Sequence, residues 1–213
     1  MSKNPHQPCF PTVASLRERQ HVTREDAILT VALMMMDEIG YGTMTMDDLA
    51  ARAGISKPTL YTYFASKEAI AVRAVVRMME RGRALVDAQP PTTPAFERIE
   101  ATVDYLCDGK FVHRMAYLGT GHDALGPTIR AHPEYRSEYG KLAARITALF
   151  EEARDEGTLK PGLATRVAVQ ALFSLLRDAE YTDLIARGEC DARAVAYTLR
   201  TIFLDGLRTK DRK

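Results

Sequence analysis

From residue 23 onward, apolar side chains recur every three or four positions and almost never alternate in twos, a period that predicts helices throughout. Ile28, Val31, Ala32, Met35 and Ile39 share one face of a first helix. Thr23 can cap it, Asp26 completes a capping box, and Gly40 and Gly42 stop it. Only part of the Met34–Met36 triplet can face a core, where methionine fills irregular gaps. Thr45 opens a second, short helix with Asp48 as its reciprocal cap, Leu49, Ala50 and Ala53 as its inner face and Gly54 at its end. Ser56 caps a third. Its first turn holds Lys57 and Pro58, where a missing N–H costs nothing, and it breaks after Phe64. A long fourth helix runs from about Lys67 to Ala88, ahead of the proline-rich QPPTTP.

Beyond that break the period stays helical. Expected helices are 94–108, 110–118, 132–156, 163–187 and 191–208, joined through GTGHDALGP at 119–127 and EGTLKPG at 156–162. The fold class is therefore all-α, with an N-terminal three-helix helix-turn-helix domain joined by a long helix to a larger helical domain. Residues 1–20, with Pro5, Pro8 and Pro11, are expected to form a flexible tail. The first domain is taken as 21–68. QPPTTP marks a boundary at the end of the fourth helix, and counting that helix with the larger domain makes it 69–213.

Composition narrows the partners. Residues 1–88 carry 11 Lys+Arg against 10 Asp+Glu, and 89–213 carry 18 against 18. Neither half is strongly basic, so any nucleic-acid binding must rest on a local patch. No apolar run is long enough to span a bilayer, so no membrane partner is expected. The N-terminus lacks the apolar segment of a secretory signal. The three cysteines, Cys9, Cys107 and Cys190, form no CxxC pair, which fits free thiols in a reducing, cytoplasmic setting.

Ala50, Gly54 and Leu60 stand at +0, +4 and +10. Two short helices that cross steeply need a small residue at the crossing, a positive-φ turn and an apolar plug, and these three supply them in order. With Leu60 turned inward, Lys57, Thr59, Tyr61 and Tyr63 spread over the outer faces of the third helix, and Thr62 also faces outward. The free N–H groups beside Ser56 and Lys57 favour phosphate, as do tyrosine hydroxyls and Lys67. Thr59 can touch a base edge or a thymine methyl, and Thr45 would meet the backbone across the groove.

The run TREDAILTVALMMMDEIGYGTMTMDDLAARAGISKPTLYTYFASKEAI resembles the DNA-binding domain of TetR-family transcriptional regulators over about residues 23–75, most specifically in GISKPTLYTYFASKEAI. The resemblance implies a homodimer with one DNA-reading domain per subunit and a variable larger domain that binds a small effector. The chain is read as a repressor that a small-molecule effector releases from a palindromic operator on double-stranded DNA, since paired recognition helices read successive major grooves, and a mostly apolar effector is the default expectation for a pocket. It implies DNA contacts at Thr45, Ser56, Lys57, Thr59, Tyr61, Tyr63 and Lys67, with the outward-facing Thr62 a further DNA-binding candidate, and Pro58 falls where relatives bring glycine or proline backbone close to the duplex. Tyr63 stands where many relatives carry histidine. A phenol can still donate to phosphate, but base preference can differ.

In the larger domain, Leu172, Leu175, Leu176 and Ala179 share one stripe, and Val195, Leu199, Ile202, Phe203 and Gly206 another. A two-fold four-helix interface would use both, with Leu172, Leu175, Leu176, Leu199, Ile202 and Phe203 as candidates. Large side chains that could line an effector pocket are Met79, Phe96, Tyr105, Phe111, Met115, Tyr117, Phe150 and Phe173. His113, His122, His132, Asp123 and Cys107 lack metal-ligand spacing, and no nucleophile turn is present, so neither cofactor, metal nor enzymatic activity is expected. The remaining alternatives are a ligand-independent helix-turn-helix regulator or activator and an enzyme in the larger domain.

Overall fold

The computed structural model describes residues 13–108, 125–176 and 180–209. Every extended element within them is an α-helix: α1 (Val13–Ile39), α2 (Met46–Arg52), α3 (Lys57–Tyr63), α4 (Lys67–Ala88), α5 (Ala95–Leu106), α6 (Leu125–Ala131), α7 (Pro133–Asp155), α8 (Thr165–Leu175), α9 (Glu180–Ala186) and α10 (Ala192–Leu207). They form two compact units, residues 1–67 and 68–213. QPPTTP lies inside the second unit, as the turn between α4 and α5.

In the first unit, Ile28, Leu29, Ala32, Leu33, Met35 and Met36 of α1 close over Met44, Leu49, Ala50, Leu60 and Phe64, all buried. Met35 and Met36 face the core while Met34 is exposed, so the triplet divides as its spacing requires. Two expectations for α1 fail. Ile39 is exposed, because the helix ends there and the core passes to Tyr41 and Met44. The helix also starts at Val13, so the expected cap Thr23 is an interior residue. After Pro11, the stretch VASLRERQ contains no glycine or proline and is rich in good helix formers, so propensity carries the helix back past the threonine.

In the second unit, α7 lies between α5 and α8, and α10 also packs on α5. Ile99, Val103 and Leu106 of α5, Leu142, Ile146, Leu149 and Phe150 of α7, and Val169 and Leu172 of α8 make the interior. Phe203 of α10 joins it, its ring centroid 6.4 Å from that of Phe150. α4 and α5 approach closely at Gly82, where a Cβ would stand 3.2 Å from the Tyr105 ring, so only glycine fits there without displacing that ring. The end of α10 is pinned to the turn after α7: Lys160 N–H donates to Leu207 O at 2.8 Å and Thr209 N–H to Thr158 O at 3.1 Å.

Two further expectations change. The single helix expected over 163–187 ends at Leu175, and α9 is a separate piece from Glu180. The loop expected over 119–127 is already helical from Leu125, with Pro127 in the first turn of α6, where it costs no hydrogen bond. The helix expected over 110–118 lies outside the described residues.

Candidate nucleic-acid interface

The crossing of α2 and α3 is built by local rules. The Thr45 hydroxyl accepts from Asp48 N–H at 3.1 Å and donates to the Asp48 carboxylate at 2.5 Å, so this cap is reciprocal through side chains. Ser56 accepts from Thr59 N–H at 3.2 Å and shares a 2.7 Å hydrogen bond with the Thr59 hydroxyl. Between the caps, Ile55 N–H bonds Ala50 O at 3.0 Å and Gly54 N–H bonds Ala51 O at 3.2 Å. Gly54 has φ +66° with open space around its Cβ position, so the turn selects glycine for its backbone angle and not for room. Leu60 is 0% exposed, and Ala50 is buried at the crossing.

With Leu60 inward, the outer face of α3 is polar. Lys57, Pro58, Tyr61 and Thr62 are exposed, and Thr59 and Tyr63 are half-buried. Tyr61 keeps 47% of its surface exposed. The Thr62 hydroxyl donates to Thr59 O at 2.7 Å. Thr45 and Ser56 are exposed at the starts of their helices.

Three charged contacts brace this face, and composition alone did not reveal them. Glu38 and Arg52 form a bidentate pair at 2.6 and 2.7 Å that ties α1 to α2. The Arg52 hydrogen bond holds the Glu38 carboxyl below its usual range. Lys57 Nζ lies 2.7 Å from Asp47 Oδ1 and 3.0 Å from Oδ2, and this hydrogen bond, then the Asp47 charge, raise the Lys57 ammonium above the usual lysine range. Asp47 and Lys57 are ten positions apart, the same interval as Ala50 and Leu60, so the crossing that sets the plug also sets this pair. Lys67 points at the α1–α2 turn, donating to Tyr41 O at 2.9 Å and Gly42 O at 3.2 Å. A lysine has three donors, so one remains for another acceptor.

Residues 28–74 match the family model of the bacterial regulatory proteins of the tetR family. The N-terminal domain is that of a TetR-family regulator. Over 140 residues the chain is 38% identical to the HTH-type transcriptional regulator EthR of Mycolicibacterium smegmatis, a match covering 63% of this chain and spanning only 62% of that relative's length. Among solved structures, the fatty acid degradation regulator FadR of Bacillus halodurans superposes with a TM-score of 0.67 at 22% identity, over 88% of this chain and 97% of that one. FadR of Bacillus subtilis, in complex with stearoyl-CoA, superposes with a TM-score of 0.60 at 20% identity, over 85% of this chain and 98% of that one. At these identities the two likenesses establish the all-helical fold.

The remaining candidates fall in the second unit. Met79, Phe96, Phe150 and Phe173 are buried. Phe96 lies under the Arg208 guanidinium at 4.6 Å, and the Phe173 ring is 4.9 Å from that of Tyr139. Tyr105 is half-buried, its hydroxyl donating to Met78 O at 3.2 Å. Phe111, Met115 and Tyr117 lie outside the described residues, as do His113, His122 and Asp123. A groove of about 530 Å³ opens between α4 and α7, lined by Arg73, Val76, Glu80, Pro133, Glu134, Ser137, Glu138 and Lys141. None of the large side chains singled out in the sequence lines it, and its walls are charged. Its deepest carboxylate, Glu138, has a side chain 5% exposed and bonds Arg83 at 2.6 Å and Lys141 at 3.2 Å. Burial alone would raise the Glu138 pKa, but the two cations outweigh it and hold the carboxyl below its usual range.

Of the interface candidates, Leu172, Leu176, Leu199 and Phe203 are buried within this one chain, Leu175 is half-buried and Ile202 is exposed. Val167 of α8 and Tyr197 of α10 are exposed as well. Among the described residues no group of His, Cys, Asp and Glu could hold a metal ion, and no helix is long and apolar enough to cross a membrane.

Proposed function

We propose that the protein is a homodimeric, sequence-specific transcriptional regulator that represses from a palindromic operator in the cytoplasm and is released by a small-molecule effector. The observation that carries this is the polar outer face of α3, held by two capped helices and a fully buried Leu60. A seven-residue helix is too short to be stable alone. Its packing on α2 is therefore what presents Lys57, Thr59, Tyr61 and Thr62 to a partner. In the proposed complex α3 enters the major groove. Thr59 approaches a base edge, and the Pro58 backbone comes close to the duplex. Thr45, Ser56, Tyr61, Tyr63 and the remaining donor of Lys67 meet phosphates.

Val167, Tyr197 and Ile202 support the dimer, because exposed apolar side chains on α8 and α10 gain by meeting a second copy. Two such recognition helices about 34–36 Å apart would read successive major grooves. Both half-sites must be engaged together, so an effector that changes the spacing slightly changes affinity steeply. The effector is proposed to be small and mostly apolar. The stearoyl-CoA complex of the Bacillus subtilis regulator makes a long-chain acyl thioester the first class to try.

Selection of duplexes from a random pool by the purified protein, at physiological salt, tests the reading. Enrichment of an inverted repeat is expected, and its loss on adding the acyl thioester would identify the effector class. A folded sample that enriches nothing opposes the reading.

A further inference from the structure

On the DNA-binding reading above, the two acidic residues that open α2 take on a role. Asp48 is committed to the Thr45 hydroxyl and N-cap. Asp47 instead reaches across to α3 and binds Lys57 through both carboxylate oxygens, at 2.7 and 3.0 Å. We propose that Asp47 is a positioning residue that sets discrimination between the operator and other DNA, by holding the Lys57 ammonium in one orientation.

The argument rests on what lysine is. Its ammonium is a point charge on a flexible stem, and left free it neutralises whichever phosphate lies nearest. That is sequence-independent binding. The backbone at both ends of the pair is held: Asp47 sits in a helix capped by Thr45, and Lys57 in one capped by Ser56. Drawn towards Asp47, the ammonium favours one orientation for its remaining N–H donors, and a diffuse charge becomes a more directional donor.

Asp47 also leaves a carboxylate beside any phosphate that Lys57 approaches. A random duplex can recruit Lys57 only by breaking the pair and facing that carboxylate. The operator, docked in register, meets the donor where it already points. With side chains 53% and 65% exposed, the pair is in water and weak. It biases the lysine without locking it.

The test uses the full chain and two duplexes, one selected and one of random sequence, titrated from about 50 to 200 mM salt. Asp47→Asn should raise random-duplex affinity a few-fold and steepen its salt dependence by up to about one phosphate's worth, while selected-duplex affinity changes little. Asp47→Glu should restore the wild-type slope. In a Lys57→Ala background, Asp47→Asn should leave the slope unmoved. An unchanged random-duplex slope in Asp47→Asn overturns the proposal, as does a slope change that persists without Lys57.

If Asp47→Asn melts below the assay temperature, Lys57→Ala carries the test. It should weaken the selected duplex and leave the random-duplex slope alone, and a fall in that slope overturns the proposal. Wild-type protein that binds no duplex would sink the regulator reading itself, a result distinct from all of these.

Discussion

Lys67 reaches back 26 positions to Tyr41, donating to its carbonyl at 2.9 Å and lying 4.3 Å above its ring. The α1–α2 turn is thus closed by a side chain from the start of α4, which the sequence offered only as a phosphate contact. Lys67→Met keeps the stem and removes the donors and the charge. It should lower stability by about 1–2 kcal/mol, visible in urea unfolding. If the third donor also meets phosphate, the salt dependence of operator binding should become shallower by about one phosphate. Unchanged stability would show that the contact to Tyr41 contributes nothing.

Thr59 and Tyr61 should separate on mutation. Thr59→Ala should shift preference at one base position in a selection experiment, with affinity for random duplex nearly unchanged. Tyr61→Phe should weaken all duplexes alike, by a few-fold, through the loss of one phosphate donor. The opposite assignment would mean that α3 lies in the groove with a different face inward.

Ile202 is 63% exposed on α10, so Ile202→Glu should leave the folded chain intact. It should shift sedimentation from dimer towards monomer and weaken operator binding well over tenfold, as one half-site is lost. A dimer that survives Ile202→Glu together with Tyr197→Glu would remove this face from the proposed interface.

Cys107 is buried, and burial, reinforced by Asp104 and only partly offset by Arg200, pushes its thiol up to about 12. The folded thiol therefore stays protonated where the unfolded one, near its ordinary value of about 8.5, ionises. The unfolded state then binds fewer protons, so stability falls as pH rises from about 9 towards 12. Cys107→Ala should flatten the alkaline slope relative to wild type by up to about 1.4 kcal/mol per pH unit. The native thiol should also resist an aromatic disulfide reagent at pH 8 and react on unfolding. Prompt reaction of Cys107 in the folded protein would contradict its burial.

What the sequence determined by itself is short-range. Caps, glycine stops and apolar period act within a few residues, so the bounds of α2, α3, α4 and α7 were legible, as was Leu60 as plug. Where propensity competes with a cap, as at Thr23, the local signal misled, because a threonine that can cap can also sit inside a helix whose flanks are good helix formers. The end of α8 at Leu175 is followed by no glycine or proline before Glu180, and so left no mark in the periodicity.

Tertiary structure decided which charges meet. Asp47–Lys57, Glu38–Arg52 and Lys67–Tyr41 join residues 10, 14 and 26 positions apart, on elements whose crossing angle no local pattern states. It also decided which neighbours the large side chains meet. Phe96 and Phe150 look the same as pocket or packing in a sequence, since burial of either kind demands an apolar ring. Only the neighbours they find, Arg208 and Phe203, show that both are packed against residues at the end of the chain.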